Sequence, residues 1–142
     1  MEPQEVIKNQ THVATFKRQK QMREYSPILA KKLSSNKSKG ITFSIKFSKH
    51  FGERMLDRNI NFEEVKELLE SIVLDPVKAD EIKDFILSDD REARLELTDG
   101  ELWLGIVIDP SITGDHYILS MRMAIKNKNR FEGRIKTKVI KK

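Results

Sequence analysis

From Arg91 onward the apolar residues of this chain stop recurring at helical intervals and begin to alternate. Leu95 and Leu97 alternate with polar neighbours up to Thr98-Asp99-Gly100-Glu101, and ELWLGIVI alternates after it. A period of two means a half-buried strand on each side. Asp99-Gly100 between them predicts a tight hairpin, because a two-residue mirror-image turn needs positive φ at both positions. Asp109-Pro110 then closes the second strand, PSITGD forms a loop, and HYILSMRMAI reads as a third antiparallel strand.

The chain before Arg91 carries a different pattern. Val6, Val13, Phe16, Met22 and the stretch from Ile28 to Leu33 recur at roughly helical intervals among Lys, Gln and Glu, with Ser26-Pro27 as the point where that helix breaks. SSNKSKG is a polar connector, after which Ile41, Phe43, Ile45 and Phe47 alternate with polar residues as a strand. Ser48 is placed to cap a following helix, and Asn61 with Glu64 three residues on makes a second helix start. Val65, Leu68, Leu69 and Ile72 supply its buried face, and Asp75-Pro76 ends it. Helices followed by an antiparallel meander define an α+β fold, with N-terminal helices packed on one face of a small antiparallel sheet.

A chain of 142 residues fits one domain, 1–142, with 1–40 a helical N-terminal region and 127–142 a basic C-terminal segment. Net charge is +5, but its distribution is sharper. Met1 to Lys49 holds 11 basic and 3 acidic residues, His116 to Lys142 holds 9 and 1, and the middle holds 7 and 18. Two basic ends around an acidic middle suit a polyanion-binding surface if the fold brings them together; solvated tails are the alternative. No cysteine occurs, and His12, His50 and His116 lie far apart, which argues against a structural zinc site. The sequence has no apolar run near the ~20 residues needed to cross a bilayer and no leader-like start, so a cytoplasmic location without membrane, metal or cofactor is expected.

Within SKHFGERMLDRNI, His50, Arg54 and Arg58 stand at four-residue intervals and fall within roughly 80° of arc on a helix. Imidazole moves a proton near neutral pH, and guanidinium holds a phosphoryl oxygen without losing its charge. Together they point to phosphodiester chemistry, with His50 as base or acid and Arg54, Arg58 and Arg122 as a phosphate clamp. Arg122, between Met121 and Met123 in a strand, is expected on the face opposite both methionines, with Glu96 across the sheet from it. Lys126, Lys128, Arg130, Arg134, Lys136 and Lys138 form a candidate RNA-tracking segment, with Phe131 to stack on a base. Trp103 reads as a core indole.

Three stretches carry a resemblance. KHFGERMLDRNI, ARLELTDGELWLGIVI and SMRMAIKNKNRFEGRIKTKVIKK resemble, in order, the histidine helix, the central hairpin and the basic carboxyl end of the RegB family. These are sequence-specific endoribonucleases of tailed bacteriophages, related to RelE-type messenger-RNA-cleaving toxins. The resemblance implies a RelE-like architecture and metal-independent cleavage of early phage messenger RNA inside purine-rich GGAG-type ribosome-binding motifs. It also implies help from a host ribosomal protein that binds messenger RNA. The family's essential histidine falls on His50 and its neighbouring arginine on Arg54. Its second functional histidine falls on Glu70, which then either replaces that histidine in the chemistry or pairs with Lys66 on the surface. The rival readings are a non-catalytic RNA-binding regulator of the same fold and a toxin-type messenger-RNA interferase.

Overall fold

A computed structural model describes residues 3–90 and 92–142, with side chains from Val13 onward apart from Ile112. Arg91, where the alternating pattern begins, and the side chains of Val6 and His12 therefore lie outside the described residues. Helix α1 (Pro3–Ser34) leads through one 3₁₀ turn into strand β1 (Thr42–Phe47), followed by α2 (Lys49–Asp57), α3 (Phe62–Val73) and α4 (Pro76–Leu87). Strands β2 (Arg94–Thr98), β3 (Leu102–Thr113), β4 (His116–Lys126) and β5 (Thr137–Lys141) complete the chain.

The architecture is α+β, as the sequence indicates, but the sheet is mixed. Its order is β1-β4-β3-β2-β5. β3 runs antiparallel to both neighbours, whereas β1 pairs parallel with β4 and β5 pairs parallel with β2. The basic C-terminal segment is thus partly a fifth strand. Leu95, Leu97, Leu104, Ile106, Leu119, Met121, Phe43, Ile45 and Ile140 share one face by register, and all are buried. All four helices contribute buried residues to the core on that face.

Several local expectations change. Pro27 lies inside α1, which does not break there. Met22 and Tyr25 on one side of Pro27 and Leu29 and Leu33 on the other are all buried, so packing of the whole helix outweighs the lost backbone bond. Val13 and Phe16, by contrast, are 52% and 61% exposed. Asp75-Pro76 is a start as well as a stop, because Asp75 Oδ1 accepts from the amides of Val77 and Lys78 and Pro76 takes the first helical position of α4. In the hairpin, positive φ occurs at Gly100 but not at Asp99. The Asp99 carboxylate instead gathers the amides of Glu101 and Leu102 at 2.9 and 2.8 Å. β3 runs on through Asp109-Pro110, which sits where the ladder to β4 is interrupted between Ile108 and Ile112 and where no amide is needed.

The connector between α1 and β1 is pinned by a buried ammonium. Lys83 is 1% exposed, and its Nζ donates to Asn36 O and Oδ1 and to Ser38 O and Oγ at 2.9–3.3 Å. Burial holds its pKa below the ordinary lysine value. Lys83→Met removes four hydrogen bonds from this half-buried connector and is expected to lower unfolding free energy by about 2–4 kcal/mol in urea titration.

Candidate active site

The end of β1 positions the histidine. Ser48 has extended backbone angles and its Oγ accepts from Phe51 N at 3.0 Å, so the chain leaves the strand and enters α2 without a gap. Phe51 and Met55 are fully buried and fix which side of α2 faces the core. His50 consequently points away from it, with its side chain 66% exposed, in the first turn, where the helix dipole favours anions. Its recorded partner is Glu53, at 3.9 Å. Against α1 the helices approach closely at Gly52, where an added Cβ would meet Met22 Cε at 2.7 Å and Gln19 Nε2 at 3.2 Å. Gln19 Nε2 donates to Lys49 O at 3.1 Å, beside the histidine.

Arg54 is exposed one turn beyond His50, and it has no carboxylate partner among the described residues. Arg122 is in the same condition. Gly105 pairs with Met123 and Ile106 with Met121, so Arg122 is the extra residue of a bulge. This overturns the expectation that both methionines share a face: Gly105 and Ile106 point to opposite sides, hence so do Met123 and Met121. Gly105 makes room for the crossing, since a Cβ there would lie 3.0 Å from Met123 Cβ. Phe47 is the register partner of Met121, which brings Arg122 beside the Ser48 cap and the start of α2.

The other candidates lie elsewhere. Arg58 caps α2 and donates to Ala124 O at 2.8 Å, tying helix to sheet. Glu70 pairs with Lys32 at 2.8 Å, while Lys66 pairs with Glu63. Glu70 is thus engaged by Lys32 of α1, and no contact joins it to His50 among the described residues. It belongs instead to a cluster with Tyr25. Burial first, then the neighbouring Glu70 carboxylate, pushes that phenol's pKa upward.

The basic segment is largely engaged within the molecule. Lys126 pairs with Glu64, Lys128 with Glu101, and Lys136 with Glu92 and Asp90. These pairs are exposed and individually weak. Arg130 and Arg134 are different, because both grip Glu96, which is 4% exposed, at 2.6–2.8 Å. Glu96 therefore faces these two arginines and not Arg122. Their segment crosses the sheet face opposite the helices, where Arg130 stands over Trp103 and Trp103 Nε1 donates to Asn127 O at 2.9 Å. Trp103 is 2% exposed, as its reading as a core residue implies, and Phe131 is 71% exposed. Sequence reasoning passed over Thr42, Ser44, Lys46 and His116 on the uncovered half of that face, and Arg23 of α1 beside β1; parallel pairing of β1 with a strand some seventy residues away left no local signal.

Among the described residues no group of three or more His, Asp or Glu is arranged to hold a metal ion, and no helix is long and apolar enough to cross a membrane. On this small α+β fold an exposed imidazole and, one turn along the same helix, a guanidinium without a carboxylate partner among the described residues share the solvent side of α2. The family model described as T4-phage endoribonuclease RegB matches residues 7–141. The endoribonuclease RegB of Enterobacteria phage T4 is 36% identical over 120 residues, covering 75% of this chain and 78% of the relative. The chain belongs to the RegB family of endoribonucleases. No solved structure matches it.

Proposed function

We propose that this endoribonuclease cuts single-stranded messenger RNA by attack of the ribose 2′-hydroxyl on the adjacent phosphate, leaving a 2′,3′-cyclic phosphate and a 5′-hydroxyl. One observation carries the reading: His50 stands exposed at the positive end of α2, with Arg54 one turn away and Arg122 at the adjoining bulge, neither committed to a carboxylate among the described residues. In this reading His50 moves the proton, and the two arginines hold the phosphoryl oxygens and stabilise the crowded phosphorane. Glu70 takes no part in the proton transfer and serves to fasten α3 to α1. Arg58 braces the helix from behind. Lys126, Lys128 and Lys136 release their exposed carboxylates and follow the RNA backbone, whereas Arg130 and Arg134 stay with Glu96.

The finer specificity rests on family likeness. The substrate is then early phage message cut in GGAG-like motifs within the infected bacterium's cytoplasm, without a metal, and assisted by a host ribosomal protein that binds messenger RNA. Incubating the protein with GGAG-containing RNA in chelator and mapping the ends tests the chemistry. Cyclic-phosphate and 5′-hydroxyl termini are expected; 3′-hydroxyl termini, or cleavage that appears only with magnesium, would overturn it.

A further inference from the structure

The segment 127–136 covers the β2 and β3 half of the sheet's open face, through Glu96 and Trp103. The β1 and β4 half is left facing a groove of about 440 Å³, whose wall is α1, with Gln19, Arg23 and Ser26, and whose floor includes Ser44, Lys46 and Ile118. The wall is fastened to the floor, because Ser26 Oγ donates to Ile45 O at 3.4 Å. At one end, Gln19 reaches the Lys49 carbonyl next to His50. At the other, Ser44 Oγ lies 3.1 Å from Nε2 of His116, and Thr42 Oγ1 lies 2.8 Å from its Nδ1. The His116 ring is half-buried and held at both nitrogens by hydroxyls. Since a hydroxyl can donate or accept, the ring keeps its orientation in either tautomer and can still exchange one partner for a ligand atom.

We propose that this groove is a nucleotide-binding subsite for the single-stranded RNA flanking the cleaved bond, with His116, Ser44 and Arg23 as its polar contacts. The inference rests on His50 being the reacting centre, since the groove ends at Gln19, which touches the carbonyl of the residue before it. From His116 to the bulge at Arg122 β4 runs six strand positions, about 20 Å, enough for several nucleotides outside the reacting one. Arg23, without an ion-pair partner among the described residues, and weakly held Lys46, 3.9 Å from Asp109, offer phosphate contacts along the wall and floor. Among its lining residues Pro27, Phe47 and Ile118 give bases an apolar surface to lie on.

Two RNAs with the same cleavage site test this, one ending a nucleotide from the cut on each side and the other extended by several on both. Wild-type protein should prefer the extended RNA in kcat/KM, and His116→Ala and Arg23→Ala should each shrink that preference about tenfold. Arg23 is exposed, so its variant keeps the test valid if His116→Ala folds poorly. Equal cleavage of both RNAs by wild type, or a wild-type preference surviving in both variants, overturns the subsite alone. Failure of wild type to cut either RNA, or full cutting by His50→Ala, removes the reacting centre and the subsite with it.

Discussion

His50→Ala will lower the cleavage rate by about 10²- to 10⁴-fold, the range for removing one positioned proton-transfer group, while leaving the urea midpoint within error of wild type. The two halves of this expectation come from the same geometry. A side chain that is 66% exposed, with Glu53 at 3.9 Å as its recorded contact, contributes almost nothing to folding. The helix beneath it is held by Ser48, Phe51 and Met55, none of which the substitution touches. Arg122→Ala should cost about 10²-fold in turnover, by analogy with loss of one preorganised donor to a developing charge. Glu70→Gln should cost little activity, because its carboxylate is occupied with Lys32. Single-turnover cleavage beside equilibrium unfolding separates these effects. An unaltered rate in His50→Ala, or a collapse of rate in Glu70→Gln, would require a different proton carrier.

Those assignments show which parts of the molecule the sequence makes legible. Features determined within one turn or one strand could be read directly: the Ser48 cap, the reciprocal Asn61 and Glu64 cap, and the alternation of Phe43 and Ile45. The exposed stripe holding His50 and Arg54 follows from the burial of Phe51 and Met55 on the same nine-residue helix. What depends on distant pairing was hidden. β1 and β4 run parallel although more than sixty residues separate them, and period-two patterning says nothing about strand direction. The bulge at Arg122 has a partial trace in Gly105, a residue with no side chain to pack in mid-strand, but its effect on the two methionines emerges only from the register. Asp75-Pro76 was ambiguous in principle, since the same pair that stops one helix caps and starts the next. Charge partners were the least legible. A row of lysines and arginines looks alike in sequence whether it meets phosphate or, as with Arg130 and Arg134, a buried glutamate.

That glutamate sets the second large effect. Glu96→Gln should lower unfolding free energy by about 3 kcal/mol at neutral pH, the low end for breaking a buried ion pair, since Arg130 and Arg134 keep some access to water at 21% and 29% exposure. Burial pushes the Glu96 carboxyl upward more than any other single cause, yet the hydrogen bonds and charges of Arg134 and Arg130 together outweigh it and leave its pKa below the ordinary value. A carboxyl lowered in the folded state binds fewer protons there than in the unfolded chain, where glutamate titrates near 4.3. Its contribution is therefore intact above about pH 4.3 and is lost as pH falls through the folded value. Wild-type protein should lose stability steeply below that point, and Glu96→Gln should show a flatter acid limb. The segment 127–136 is the part released first, because Glu96 is its buried anchor. Trp103, the single tryptophan, lies beneath Arg130 at 6.0 Å, so its emission should shift to the red in Glu96→Gln and in acidified wild type before the helical signal falls. Coincident loss of fluorescence and helicity, with an acid limb as steep in the variant as in wild type, would show that the segment is held by something other than this carboxylate.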